Sequence, residues 1–159
     1  MPPRARRPRR YDPAKVHAAL AAATGRDPGL EAAEENLPAL LEQLLAAVLA
    51  ALDGPEPAKP PREALATATR LLADALADRA PGGSVELRVP PFAVVQAVEG
   101  PRHTRGTPPN VVETDPLTWL RLASGRLSWQ QALDESLLTA SGERSDLSDL
   151  LPLRPPPAG

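Results

Sequence analysis

The residues best equipped for chemistry lie in one run, Gly100-Pro-Arg-His-Thr-Arg-Gly-Thr-Pro-Pro-Asn110. It holds Arg102, Arg105, His103 (one of two histidines) and the hydroxyls of Thr104 and Thr107. Two guanidinium groups near glycines can clamp a carboxylate or phosphate through paired hydrogen bonds. The competing reading is a hydrated loop whose arginines pair with Glu99 or Glu113, because exposed loop charges are usually just solvated. A histidine beside hydroxyls invites nucleophilic catalysis, which also needs a group that orients the base. Nothing marks such a group or an oxyanion hole, so His103 reads as a loop histidine and no catalytic residue is assigned. The run half-imitates a phosphate-binding P-loop, but Gly100 to Gly106 is one residue too long and no lysine follows.

Composition narrows the classes further. A chain of 159 residues with no cysteine has no disulfide, thiol nucleophile or zinc-thiolate site. No metal site and no cofactor are expected. The only aromatics are Tyr11, Phe92, Trp119 and Trp129, too few for a platform that stacks single-stranded nucleic acid. The first ten residues hold five arginines and no acid; −2 for the whole chain and +5 for this arm leave −7 for the rest. Such an arm suits at most transient contact with an anionic membrane surface, or it is a solubilising tail. No helix-turn-helix, zinc finger or aromatic RNA-binding signature gives it a specific nucleic acid. The longest apolar run, Leu44–Leu52, is far short of the roughly 20 residues that a membrane helix needs. Asp12, Lys15 and His17 interrupt the apolar stretch a signal peptide requires, so a cytoplasmic location is expected.

The elements that must position these residues follow from caps and periodicity. Residues 1–10 read as a Pro- and Arg-rich, basic arm that is expected to be disordered. Asp12-Pro13 opens a helix that Gly25 can end, and Asp27-Pro28 repeats the opening. Leu37, Leu41, Leu44, Leu45, Val48, Leu49 and Leu52 make an apolar helical stripe. Pro38 sits in its first turn behind Asn36 or marks a kink. The stripe packs inside the chain or serves a protein partner or self-association through helix 37–52. Residues 11–53 are thus a helical extension, and the Pro-rich stretch 54–61 is a linker. A helix with Leu65, Leu72 and Leu76 on one face opens the main domain, 62–153, with a loose tail at 154–159.

Val85, Leu87 and Val89 alternate with Glu86 and Arg88, the pattern of a half-buried strand. Phe92–Val98 is apolar on both faces apart from Gln96, which suits a central strand. A short strand is expected at Val111–Thr114 and another at Leu137–Ser141. Asp115-Pro116 and Ser128 start helices, with Trp119, Leu120 and Ala123 facing inward, and Ser145 is placed to cap a last turn. Helices and strands are segregated, so the fold class is α+β: a small mixed sheet covered by helices, with an N-terminal helical extension. Phe92, Val94, Val98, Trp119, Leu122 and Leu133 are the candidate apolar lining. A filled core and a lined cavity have the same composition, so composition leaves both readings open.

Residues 84–129, SVELRVPPFAVVQAVEGPRHTRGTPPNVVETDPLTWLRLASGRLSW, resemble the short bacterial sterol-carrier-like proteins. Trp119-x-x-Leu-x-x-Gly125-Arg-Leu, Ala132, LTASGE at 138–143 and DLSDLLPL at 146–153 are similar to the later half of that fold. The resemblance spans about 62–153. It implies a sheet with helices on one face and, between them, a tunnel that takes a fatty acyl chain, acyl-CoA or sterol-like lipid. It implies a non-enzymatic carrier in which Arg102, Arg105 and His103 would meet an acidic head group at the tunnel mouth. The alternative is an accessory or interaction module of the same fold, with a closed core, beside a metabolic enzyme. In a related arrangement such a domain is joined to a zinc-dependent, mycothiol-using isomerase-like helical domain. A zinc site needs several converging ligands, and the helical region here offers His17 alone, so that role is rejected.

Overall fold

The computed structural model describes residues 11–55, 59–101 and 110–154. The Arg-rich arm, part of the linker, the run carrying Arg102, His103 and Arg105, and residues 155–159 lie outside the described residues. The chain divides into two compact units, Met1–Ala64 and Leu65–Gly159.

In the first unit, α1 (Pro13–Thr24) begins at Asp12, whose carboxylate accepts the Ala14 N–H at 3.0 Å. Pro13 occupies the first turn, where its missing N–H costs nothing. Gly25 closes the helix at φ 70° and donates to the Ala21 carbonyl. The second Asp-Pro pair behaves differently. Asp27 accepts the Gly29 N–H at 2.8 Å and pairs with His17 Nε2, while α2 (Leu30–Glu35) starts without a side-chain cap. The Gly29 bond, then His17, holds the Asp27 carboxyl below its ordinary 3.8. In α3 (Leu37–Leu52) Pro38 lies in the first turn. Its Leu40, Leu44, Leu45, Val48, Leu49 and Leu52 are buried within the single chain, and α1 packs along it.

The second unit takes up most of α4 (Arg62–Arg79) and then a four-stranded mixed sheet. The strands are β1 (Val85–Val89), β2 (Ala93–Ala97), β3 (Val111–Thr114) and β4 (Leu138–Ser141), in the order β2-β1-β3-β4. β1 runs antiparallel to β2 and parallel to β3; β3 runs antiparallel to β4. β2 is therefore an edge strand, not a central one. Its register pairs Leu87 with Val95 and Arg88 with Val94, so Val95 shares the buried face while Val94 stands outside with Arg88. Its apolar run had hidden this, because a valine on the solvent side of an edge strand reads the same as one inside.

Asp115 caps α5 (Pro116–Ala123), accepting the Thr118 N–H at 3.1 Å and the Thr118 hydroxyl. Ser128 caps α6 (Trp129–Asp134), accepting the Gln131 N–H at 3.1 Å. Ser145 does not cap the last turn. Its hydroxyl donates back to the Gly142 carbonyl, and the 3₁₀ turn Ser148–Leu150 is instead preceded by Asp146, which accepts the Ser148 N–H at 2.9 Å. Side-chain hydrogen bonds tie α4 to α5 and to the β1–β2 hairpin: Trp119 Nε1 donates to the Thr69 carbonyl, and Arg70 Nε to that of Phe92. Helices before and between strands of one sheet make this an α+β fold.

Candidate functional site

Among the described residues, the layer between sheet and helices holds a buried apolar core. Val85, Leu87, Val89, Val112, Trp119 and Leu120 are each no more than 1% exposed. Side chains packed to that degree leave no surface for a guest beside them. Trp119, named from the sequence as lining, is part of this interior, and its indole N–H finds the Thr69 carbonyl at 3.3 Å.

The other named residues scatter. Val94 is 63% exposed on the open face of β2. Leu133 is 36% exposed, because one residue past the buried Ala132 a helix has turned by about 100°. Phe92 is half-buried in the turn between β1 and β2, where its N–H donates to the Val89 carbonyl. Val98 is half-buried at φ 67°, a conformation a β-branched residue rarely adopts. Three bonds hold it there: its N–H donates to Ala80, and its carbonyl accepts the Ser84 N–H and hydroxyl. Arg102, His103 and Arg105 lie outside the described residues.

What the structure does show is how the chain on either side of that run is anchored. Asn110 is 4% exposed; its Nδ2 donates to the Ser84 carbonyl at 2.7 Å and its Oδ1 accepts the Arg144 N–H at 2.8 Å. Arg144 Nη1 donates to the Glu99 carbonyl at 3.3 Å. One asparagine and one arginine thus fasten both flanks to the turn after β4. Sequence reasoning missed this pair, since a buried amide and an exposed one carry the same letter.

Leu122 leads to an open site. It joins Ala132 and Leu138 in a buried cluster, against which Leu127, Trp129 and Leu151 pack half-buried. Over them lies a groove of about 450 Å³, between the end of α5, the start of α6 and the 3₁₀ turn. Its walls are Leu122, Leu127, Trp129, Leu151 and Pro152, with Ser128, Gln130 and Ser148 at the polar positions. Gly125 turns the chain between the helices at φ 75°. Leu153 and Arg154 both donate backbone N–H to the Ala123 carbonyl, which clamps the C-terminal wall to α5. The volume and the apolar walls with few polar groups fit a small-molecule site. Of the residues named from the sequence, the groove takes only Leu122; Leu127, Trp129 and Leu151 join it through tertiary packing.

A second depression, of about 390 Å³, runs beside β4 and includes Glu113 and Asp115. Asp115 is already committed to capping α5. Among the described residues, no group of three or more His, Cys, Asp or Glu is placed to hold a metal ion. No helix among them is long and apolar enough to cross a membrane.

No curated protein matches the chain. Residues 61–153 match the family described as bacterial SCP ortholog, SCP standing for sterol carrier protein. That segment exceeds half of the chain and takes in α4, the whole sheet, α5, α6 and the groove. With its mixed sheet and segregated helices, the chain belongs to the bacterial SCP-ortholog family.

Proposed function

We propose that the protein is a carrier-type protein that holds an apolar ligand in the groove between α5, α6 and the 3₁₀ turn, without altering it chemically. One observation carries this reading: half-buried Leu127, Trp129 and Leu151 form an open apolar surface continuous with the buried Leu122 cluster. Apolar surface left beside a packed cluster gains free energy when a ligand covers it. The test is native mass spectrometry of protein purified without detergent and then offered a lipid mixture. Stoichiometric adducts that extract as lipid support the reading. A clean mass under both conditions removes it.

A second reading has its own support. The buried apolar core around Trp119 and Leu120 fits an accessory module with a closed core, acting beside a metabolic enzyme. That module would take up no lipid and would co-purify with a protein.

A further inference from the structure

We infer that the groove selects an uncharged ligand, a long-chain alcohol, ester or sterol-like molecule, over an ionised fatty acid. The inference rests on the carrier reading and adds the chemical class of its ligand. No residue lining the groove is charged. The ionised groups bonded directly to the lining are two carboxylates and one guanidinium. Asp134 accepts from Gln130 Nε2 at 2.8 Å, Asp146 accepts the Ser148 N–H, and Arg79 donates to the Pro152 carbonyl at 3.3 Å. Arg126, between two lining residues in sequence, is not itself part of the lining and has its own interaction. An anionic head group would therefore meet two carboxylates against one cation, Arg79, among the groups bonded to the lining. The Asp146 carboxyl is also held below its ordinary value by Ser148, which keeps it negative. Burying a carboxylate without a partner is far costlier than burying a hydroxyl or an ester.

The lining also carries donors suited to a neutral oxygen. The Ser128 hydroxyl accepts from Gln131, and among the described residues its own hydrogen meets no protein acceptor. The indole N–H of Trp129 likewise has no protein acceptor among them. Both residues line the groove, and an alcohol, ester or ketone oxygen can accept from either.

The experiment uses the full chain, stripped of lipid, and three probes of equal chain length: hexadecanol, methyl hexadecanoate and hexadecanoate. Binding is read by titration calorimetry at a pH of about 8, where the acid is ionised. The alcohol and the ester should bind about tenfold or more tighter than the carboxylate. A double variant, Gln130→Arg with Asp134→Asn, changes two exposed positions and sets an unpaired cation at the rim; it should raise hexadecanoate affinity by about tenfold. Hexadecanoate binding as tightly as the alcohol to the intact chain overturns the selectivity and leaves the carrier reading standing. An unchanged preference in the double variant places the ligand elsewhere and also overturns it. Uptake of none of the three removes the carrier reading, and this inference with it.

Discussion

Trp119 Nε1 donates to the Thr69 carbonyl at 3.3 Å, joining α5 to α4 across fifty residues of sequence. The ring is 1% exposed, so this bond satisfies a polar atom that has no route to water. Trp119→Phe should destabilise the fold by about 1–2 kcal/mol, and Trp119→Ala by about 3–5 kcal/mol, because the latter also leaves a cavity. Urea unfolding followed by circular dichroism reads both. Equal losses for the two variants would contradict this division between bond and volume.

Asn110 has one amide nitrogen and one oxygen, each committed to a different backbone group. Asn110→Asp turns the donor toward Ser84 into a second acceptor, facing a carbonyl. A loss of about 1–3 kcal/mol should follow, or more if the carboxylate stays ionised. Hydrogen exchange at the Arg144 amide should quicken even in Asn110→Ala, which removes its acceptor. Unchanged exchange there would mean that the anchor is not made in solution.

Gly82 lies so close to β2 that an added Cβ would sit 2.1 Å from the Val98 carbonyl oxygen. Neither side can yield easily, since the obstacle is backbone and Val98 is itself held by three bonds. Gly82→Ala should cost about 2 kcal/mol or more. Gly25→Ala meets no neighbour within 4 Å and carries only the strain of its positive φ, so it should cost less. Thermal melts of the two variants decide the order, and the reverse order would be the failure.

The acid sensitivity of the groove wall should follow Asp146. Its folded carboxyl is held below 3.8 by the Ser148 hydroxyl and then the Ser148 N–H. A depressed folded value means that the contribution is fully present above the unfolded value and is lost as pH falls through the folded one. The Ser148–Leu150 turn should therefore hold at neutral and mildly acidic pH and loosen only below 3.8. Carbon-detected NMR titration of the carboxyl gives the midpoint directly; a value at or above 3.8 would refute the assignment. Asp146→Asn should remove the acid step at the Ser148 amide.

The helix starts at Asp12, Asp115 and Ser128 were legible because a cap is a local device: one side chain, one N–H, three residues apart at most. The alternation of Val85, Leu87 and Val89 was legible for the same reason. Asp27 was not, because its partner His17 lies ten residues away and competes with the expected cap. Nor was the edge position of β2, which depends on the strand it lacks rather than on its own residues. The groove draws on residues 122 to 130 and 148 to 152, and nothing in either segment announces the other. Leu122 is a candidate lining residue by its sequence, and composition does not separate a wall from a core.

The two tryptophans divide between the interior and the groove, and that division makes them unequal as optical reporters. Trp119, sealed at 1% exposure, should emit toward the blue and change little when a ligand arrives. Trp129, half-buried in the wall, should emit further to the red and shift on occupancy. The molecule thus contains an internal reference and a probe of the same chemical kind, readable without any label.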